Sequence, residues 1–266
     1  MHLADGIIDD TTLLAGVSCL SAAALVTALA RVKKCTRGAA WTGALSAFVL
    51  AAQAVNVPLV PGASAHVVGA GLMTIAVGPA RAMVGMFAVL VVQALLFADG
   101  GVTTLLVNTF HLAVIPIAAT HLLRVALTRP DEPGERAALV AVGLGSLLGN
   151  LLAALSLSTL LVLGAGAPPR LTFGWLVGVQ GLAGVCEALL AMASLRYLAR
   201  RAPALLALKQ SSGPRALDER FAAPGVRSFG LSGVLMLLGM CLLLVPFASQ
   251  LPDALQLVLE QWGAKP

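Results

Sequence analysis

Residues 137–164, AALVAVGLGSLLGNLLAALSLSTLLVLG, form an apolar run that contains no charged residue. A helix of roughly 20 apolar residues crosses the hydrocarbon core of a bilayer, so this run is long enough to span it. Similar runs recur, and we predict spans at 12–30, 39–55, 64–79, 82–98, 104–124, 137–164, 172–198 and 229–247. The sequence therefore predicts an all-α fold, a polytopic transmembrane helical bundle of about seven spans plus one C-terminal span.

The composition supports a membrane protein and argues against other classes. Hydrophobic residues make up 59% of the 266, and charged residues only 11%, whereas soluble domains carry about 25% charged residues. A β-barrel would show short alternating segments instead. The net charge of +5 does not indicate nucleic-acid binding, because the basic residues lie in short loops between spans. The four cysteines lack paired spacing, so neither a disulfide framework nor a thiolate metal site is predicted.

The distribution of basic residues predicts the orientation in the membrane. With the N-terminus outside, Arg170 and Lys265 are the exceptions among the 17 lysines and arginines, and the rest lie on the cytoplasmic side. We therefore expect a multi-pass protein of the bacterial cytoplasmic (inner) membrane with its N-terminus outside. Three segments follow: a transmembrane body at 1–200, a cytoplasmic linker at 201–228, and a C-terminal transmembrane helix with a periplasmic tail at 229–266.

The chain begins MHLADG, with a histidine at position 2. No signal-peptide pattern precedes it, so we expect the amino group of Met1 to be free. The Met1 amine, the His2 backbone nitrogen and His2 Nδ1 can close a five-membered and a six-membered chelate ring on one metal ion. Three nitrogens in one plane favour square-planar ions such as Ni(II) or Cu(II) over tetrahedral Zn(II).

A second histidine supplies a candidate fourth ligand. His66 lies in NVPLVPGASAHVVGAGL, where small residues permit close approach of the backbone to an ion. The residues alone leave other interpretations open. A histidine at position 2 usually has no special role, and a histidine in the setting of His66 is more often a packing or capping residue.

Four stretches resemble one family of transporters. MHLADG is similar to the family's MHIPDGF, AAQAVNVPLVPGASAHVVGAGL to AAQMLNFPVPGGTSGHLLGA, VVQALLFADGGVTTLLVNTFHLA to LVQALLFADGGLTALGANILNMA, and GVQGLAGVCEALL to GVHAVIGIGEGLI. On these motifs, which span roughly residues 1–200, the chain resembles the CbiM/NikM family. Members are substrate-binding (S) components of energy-coupling-factor (ECF) cobalt and nickel importers.

The resemblance implies a ligand set and partners. It implies that Ni²⁺ or Co²⁺, as transported substrate, is held by the Met1 amine, the backbone and side-chain nitrogens of His2, and His66. It also implies a transmembrane coupling (T) component and cytoplasmic ATPases. The chain itself contains no phosphate-binding loop that would power transport.

Other polar residues in or beside the spans are candidates for supporting roles. Such groups are costly in lipid and need partners. We expect Gln53, Asn56 and Asn108 to orient the N-terminal loop and His66, with helix–helix contacts as the alternative. His111 stands where the family commonly has asparagine, and it is a candidate extra ligand or a hydrogen-bonding partner of the ligands. Glu187 is predicted to pair with a helix terminus or to be neutral, and not to bind the metal.

The tail VPFASQLPDALQLVLEQ is similar to an altered ASxxPDGLE segment of the small CbiN-like accessory subunit, with Ala254 and Gln256 as replacements. It predicts that the span 229–247 is a fused remnant of that subunit, and a separate small accessory membrane subunit is a candidate partner. Two other functions remain open at this point. One is a membrane metal sensor or enzyme, although the chain contains no HExxH or GxSxG motif. The other is an S component for an organic substrate on the same scaffold.

Overall fold

The computed structural model describes residues 1–32, 36–127, 135–201 and 251–263. The described helices are α1 (Thr11–Arg31), α2 (Thr36–Gln53), α3 (Ala70–Val77), α4 (Pro79–Leu96), α5 (Leu105–Thr109), α6 (Ile115–Leu127), α7 (Glu135–Ala165), α8 (Pro169–Arg201) and α9 (Ala254–Trp262). A π-helical turn, Phe110–Val114, joins α5 to α6. Two short antiparallel strands, β1 (Val57–Val60) and β2 (Ala63–Ala65), form a hairpin.

Five helical stretches in the described part of the chain are long and apolar enough to cross a bilayer. They are Thr11–Arg31, Pro79–Leu96, Leu105–Leu127, Glu135–Ala165 and Pro169–Arg201. Large apolar side chains point outward from them, with Leu122 and Leu163 more than 60% exposed, as expected of surfaces that face lipid. The chain is therefore a mostly helical, multi-pass membrane protein.

The third predicted span, 64–79, is not a continuous helix. Its first residues belong to the β-hairpin and the loop after it, and α3 has only 8 residues, every one of them buried. Eight residues rise about 12 Å, which is too short to cross a bilayer. The stretch is apolar because protein surrounds it, and the hairpin makes the fold not purely α-helical. The α2 helix has 18 residues, and the predicted linker and eighth span at 229–247 lie outside the described residues.

Glycines on α7 allow close packing against α6. A Cβ atom on Gly145 would lie 2.7 Å from the Thr120 Cα, and one on Gly149 would lie 2.8 Å from the Pro116 Cα. This small-xxx-small spacing brings helix backbones together where lipid provides no hydrophobic driving force between helices. The GLGSLLGN stretch of α7 therefore makes close contacts with α6.

Most of the loops that carry candidate site residues meet at one end of the bundle. The backbone amides of Asp9 and Asp10 donate to Gly164 O, which places the start of α1 beside the end of α7. The residues after α4 and those before α5 pack against the N-terminal loop. The opposite end carries most of the described arginines: Arg31, Arg81, Arg124, Arg136, Arg196, Arg200 and Arg201.

Candidate metal site

The N-terminal loop is buried and held by α5. Leu3 is fully buried, and its N–H donates to Asn108 Oδ1 at 2.8 Å. Its carbonyl accepts from Asn108 Nδ2 at 2.9 Å, from Thr104 Oγ1 at 2.7 Å and from the Gly101 N–H at 2.9 Å. Chain termini are usually poorly ordered unless they are tied down. Here the N–H and the carbonyl of Leu3, the residue that follows His2, both have hydrogen-bond partners, so the start of the chain is part of the core.

Asp5 fixes the same loop from its other end. Its carboxylate accepts backbone hydrogen bonds from Val102, Thr103 and Thr104 at 2.9 to 3.1 Å. Burial raises the pKa of Asp5, but the hydrogen bond from the Thr103 hydroxyl and these backbone hydrogen bonds outweigh it and lower the pKa below its ordinary value. Gly101 lies so close to Asp5 that a Cβ atom there would overlap its carboxylate. The ADGG stretch after α4 is thus shaped to receive the N-terminal loop.

The amine of Met1 is paired with a carboxylate from the far end of the chain. The Met1 residue is 1% exposed, and its nitrogen lies 2.6 Å from Asp253 Oδ2. Burial alone raises the pKa of Asp253, but the positive N-terminus and its hydrogen bond bring that pKa down to about 2. Asp253 also caps α9 by accepting from the Gln256 N–H at 2.8 Å. The last described segment therefore completes the site.

The same segment is attached to the strand that precedes His66. The Ser64 N–H donates to Pro252 O at 2.9 Å, and its hydroxyl donates to Leu251 O at 2.7 Å. The side chain of Trp175 on α8 donates to Gln261 on α9 at 3.2 Å. These contacts place Asp253 next to the hairpin that carries His66.

The imidazole of His2 lies between Asp99 and His66. His2 Nδ1 is 3.1 Å from Asp99 Oδ1, and the His2 side chain is 3% exposed. Its ring stacks on that of His66, with centroids 5.2 Å apart and an angle of 17° between the planes. Burial raises the pKa of Asp99, but the hydrogen bond and charge of His2 outweigh this and lower it. His2 Nε2 is buried and has no hydrogen-bond partner in the described structure.

His66 is held as a neutral imidazole. Its Nδ1 lies 3.1 Å from Val67 O, so Nδ1 carries the proton and Nε2 keeps a lone pair. His66 Nε2 is buried without a hydrogen-bond partner among the described residues. Burial, followed by repulsion from the N-terminal charge and His2, lowers the pKa of His66 to about 3. A neutral nitrogen with a free lone pair is the form that binds a metal ion.

The structure thus gathers Met1, His2 and His66 in one buried place. Two of the predicted ligand nitrogens, the Met1 amine and His2 Nδ1, are hydrogen-bonded to carboxylates in this arrangement. An entering cation would exchange these bonds for bonds to the ion, in a site where two carboxylates offset its charge.

The supporting residues fall into three groups. Asn108 binds the N-terminal loop, and Gln53 Nε2 donates to Val68 O at 2.7 Å, two residues beyond His66. Asn56 Oδ1 is buried without a partner in the described ranges. His111 lies in the π-helical turn, fully buried, and its described ring contact is with Phe110.

The sequence missed the two carboxylate partners. Asp99 stands in the ADGG stretch that resembles the family, so the motif marked the segment but not its contact with His2. Asp253 is 252 positions from Met1, and the sequence feature that could have indicated it is the Pro-Asp pair of the tail. Glu187 does pair with a helix terminus, because its carboxylate accepts from the Val68 and Gly69 N–H groups ahead of α3.

Comparison with known proteins agrees with this architecture. Residues 2–205 match the family described as CbiM, cobalt uptake substrate-specific transmembrane region. A putative fused nickel transport protein NikMN of Archaeoglobus fulgidus is 30% identical over 221 residues, which cover 82% of this chain and 72% of that protein. A cobalt transport protein CbiM of Clostridioides difficile is 38% identical over 101 residues, covering 38% of this chain and 40% of that protein. A fused nickel transport protein NikMN of Rhodobacter capsulatus is 29% identical over 182 residues, covering 63% and 52%.

Solved structures share the fold. A crystal structure of a truncated transition metal transporter superposes with a TM-score of 0.59 at 22% identity, covering 75% of this chain and 99% of that one. The named relatives are transport proteins and not enzymes. On the match over residues 2–205, this chain belongs to the CbiM family of cobalt and nickel transport proteins.

Proposed function

We propose that the chain is the substrate-binding component of an ECF-type importer for Ni²⁺ or Co²⁺. The ion is captured at the outer face by the Met1 amine, the backbone nitrogen and Nδ1 of His2, and Nε2 of His66. One observation carries the proposal: the first residues are buried in the core beside His66. A start of chain with no role in binding would not need so many hydrogen bonds.

The chemistry of the donors favours a late first-row transition metal. Imidazole and amine nitrogens suit Ni²⁺ and Co²⁺, and the general affinity order favours Ni²⁺ over Co²⁺ at a given nitrogen site. The deprotonated amide of His2 adds a strong ligand. Because the ligands must be deprotonated, binding weakens at low pH.

The orientation follows from the separation of charge. Arginines lie at the end of the bundle away from the site, which agrees with a cytoplasmic location of that end and an N-terminus outside. The α8 helix of 33 residues runs about 50 Å toward that end, whereas Leu251 lies at the site. A chain that leaves α8 at that end and returns to the site at Leu251 supports a C-terminal span in addition to those of the body, in the cytoplasmic membrane.

Release of the ion and its transport require other proteins. We propose a transmembrane coupling component and cytoplasmic ATPases as partners. We propose that the tail, whose Asp253 contacts the Met1 amine, serves in place of a separate accessory subunit. The competing functions, a metal sensor and a carrier of an organic molecule, make different predictions for the variants below.

The test compares His2→Ala and His66→Ala with His121→Ala as the matched control, because His121 lies in α6 nearer the arginine-rich end. The purified proteins are titrated with Ni²⁺ and Co²⁺ by calorimetry. Metal accumulation is then measured in cells that co-express the coupling component and ATPases. We expect one ion per chain for the wild type and His121→Ala, and loss of high-affinity binding and of uptake for the other two, with weak binding by the remaining nitrogens. Binding without any ATPase-dependent uptake would favour a sensor, and no binding by the wild type would refute the proposal.

A further inference from the structure

Four buried polar side chains from four helices converge on the peptide groups that follow His66. They bind the N–H and the carbonyl of Val68 and the N–H of Gly69, either directly or through one another. We call this set the Val68 clamp; its members are Gln53 of α2, Gln93 of α4, Asn150 of α7 and Glu187 of α8. All are 4% exposed or less.

Glu187 holds one side of the clamp. Its Oε2 accepts from the Val68 N–H at 2.7 Å, and its Oε1 accepts from the Gly69 N–H at 3.0 Å. Asn150 Nδ2 donates to the same carboxylate at 3.1 Å. The two amides lie immediately ahead of α3, and a carboxylate at a helix N-terminus satisfies donors that have no partner within the helix. Gly69 adopts φ +78°, and a Cβ atom there would lie 2.9 Å from Val49 Cγ2, so this backbone path requires glycine.

The two glutamines hold the other side. Gln53 Nε2 donates to Val68 O at 2.7 Å, and Gln93 Nε2 donates to Gln53 Oε1 at 2.8 Å. Val68 is therefore fixed through both of its backbone polar groups. The preceding carbonyl, Val67 O, shares the peptide plane of the Val68 N–H. That carbonyl is the acceptor for His66 Nδ1.

We propose that Glu187 is a positioning residue for His66, acting through the peptide group that joins Val67 to Val68. By fixing the Val67 carbonyl it keeps the proton on His66 Nδ1 and directs Nε2 toward the ion. A partner that sets the tautomer and ring orientation of a metal-binding histidine commonly changes affinity about 10- to 100-fold when mutated. This inference rests on the proposed metal site, and it adds a residue from α8 that touches none of the proposed ligands.

The first test uses Glu187→Gln, which keeps the shape and one acceptor but places an NH₂ group against a backbone donor. We expect Ni²⁺ affinity to fall about 10-fold or more, with one ion per chain retained. The visible spectrum of the bound Ni²⁺ should shift toward that of His66→Ala, because His66 is displaced from the fourth position. Thr74→Val is the matched control, since Thr74 is equally buried in α3 and donates only within that helix, to Ala70 O.

A double-mutant cycle separates positioning from general damage. The Glu187→Gln change should cost little further affinity in a His66→Ala background, because its effect passes through that ring. An additive loss, or an unchanged spectrum and affinity, would overturn the proposal. Should Glu187→Gln fail to fold, Gln53→Met, which releases the carbonyl of Val68 in the adjoining peptide, must show the same spectral shift and the same non-additivity.

A measurement without metal distinguishes this inference from the proposed function. Nitrogen-15 NMR of labelled histidines reports which ring nitrogen of His66 carries the proton, with His66→Ala providing the assignment. We expect a single Nδ1–H form in the wild type and a mixture of forms in Glu187→Gln. A wild type that shows this signal but binds no metal refutes the proposed function alone, and an unaltered tautomer in the variant refutes the inference.

Discussion

Replacing Asn108 with leucine should release the N-terminal loop from α5. The Leu3 N–H has Asn108 Oδ1 as its acceptor, whereas the Leu3 carbonyl accepts from three donors, of which Asn108 is one. In Asn108→Leu the carbonyl keeps two donors, but the buried N–H loses its partner. The neighbouring Thr104→Val change removes only one of the three donors to the carbonyl, so it is a matched control.

The expected cost follows from this asymmetry. A buried donor without an acceptor costs about 1–3 kcal/mol, whereas loss of one hydrogen bond to a group that keeps others costs less than about 1 kcal/mol. Taking about 2 kcal/mol for Asn108→Leu, the population of the undocked loop rises about 30-fold, because RT is about 0.6 kcal/mol. Thr104→Val should raise it less than about 5-fold.

Hydrogen–deuterium exchange of the metal-free protein, read by mass spectrometry on N-terminal peptides, measures this directly. Exchange should accelerate about 30-fold in Asn108→Leu, and Ni²⁺ affinity should fall with it, while Thr104→Val stays close to the wild type. Equal exchange rates in the two variants would refute the reasoning, since they would show that the Leu3 N–H does not depend on Asn108.

Three further outcomes are expected. Asp253→Asn keeps the helix cap but leaves the buried N-terminal ammonium without its counter-ion, so thermal denaturation of the metal-free protein should show a loss of about 3 kcal/mol; an unchanged melting temperature would contradict the ion pair. The folded-state pKa of His66, about 3, lies below the unfolded value of 6.5, so the contribution of the neutral ring to the free energy of unfolding is fully present above pH 6.5. The free energy of unfolding should fall by about 2 kcal/mol between pH 6.5 and pH 5. His66→Gln should show a flatter pH dependence, and an unchanged slope in that variant would contradict the prediction. Gly100→Ala would place a Cβ atom 3.2 Å from His2 Cβ, whereas Gly6, also at positive φ, has open space around it. Ni²⁺ titration should show an affinity about 10-fold weaker in Gly100→Ala than in Gly6→Ala. Equal affinities would show that the contact with His2 is unimportant and that only the backbone strain shared by the two variants matters.

The sequence was most informative where the chemistry is local. The proposed chelate of Met1 and His2 needs only adjacent residues, so the first dipeptide is enough to predict it. His66 was a candidate fourth ligand from the residues alone, and the resemblance to a family singled it out, because separation along the chain does not give a distance in the fold. The pairing of Asp253 with the N-terminus was not predictable, since it depends on how the two ends of the fold meet.

Burial misled the prediction at residues 64–79. An apolar run surrounded by protein has the same composition as one surrounded by lipid, so the stretch resembled a span although it forms part of a hairpin and the short α3. Polar residues gave the better guide. Gln53, Asn108 and Glu187 each bind backbone groups of the loops that carry the proposed ligands, as expected of polar groups that are costly in lipid.

The central claim is that the start of the chain is itself a ligand, and three glycines added ahead of Met1 test it most directly. The extension keeps His2 and His66 but moves the terminal amine up to about 11 Å along the chain, so that it can no longer share a chelate with His2. Both proteins are titrated with Ni²⁺ and Co²⁺ after N-terminal sequencing confirms their first residue. The account predicts one ion per chain for the native start and loss of high-affinity binding for the extended form. Equal binding by the two forms would contradict it and move the site away from the N-terminus.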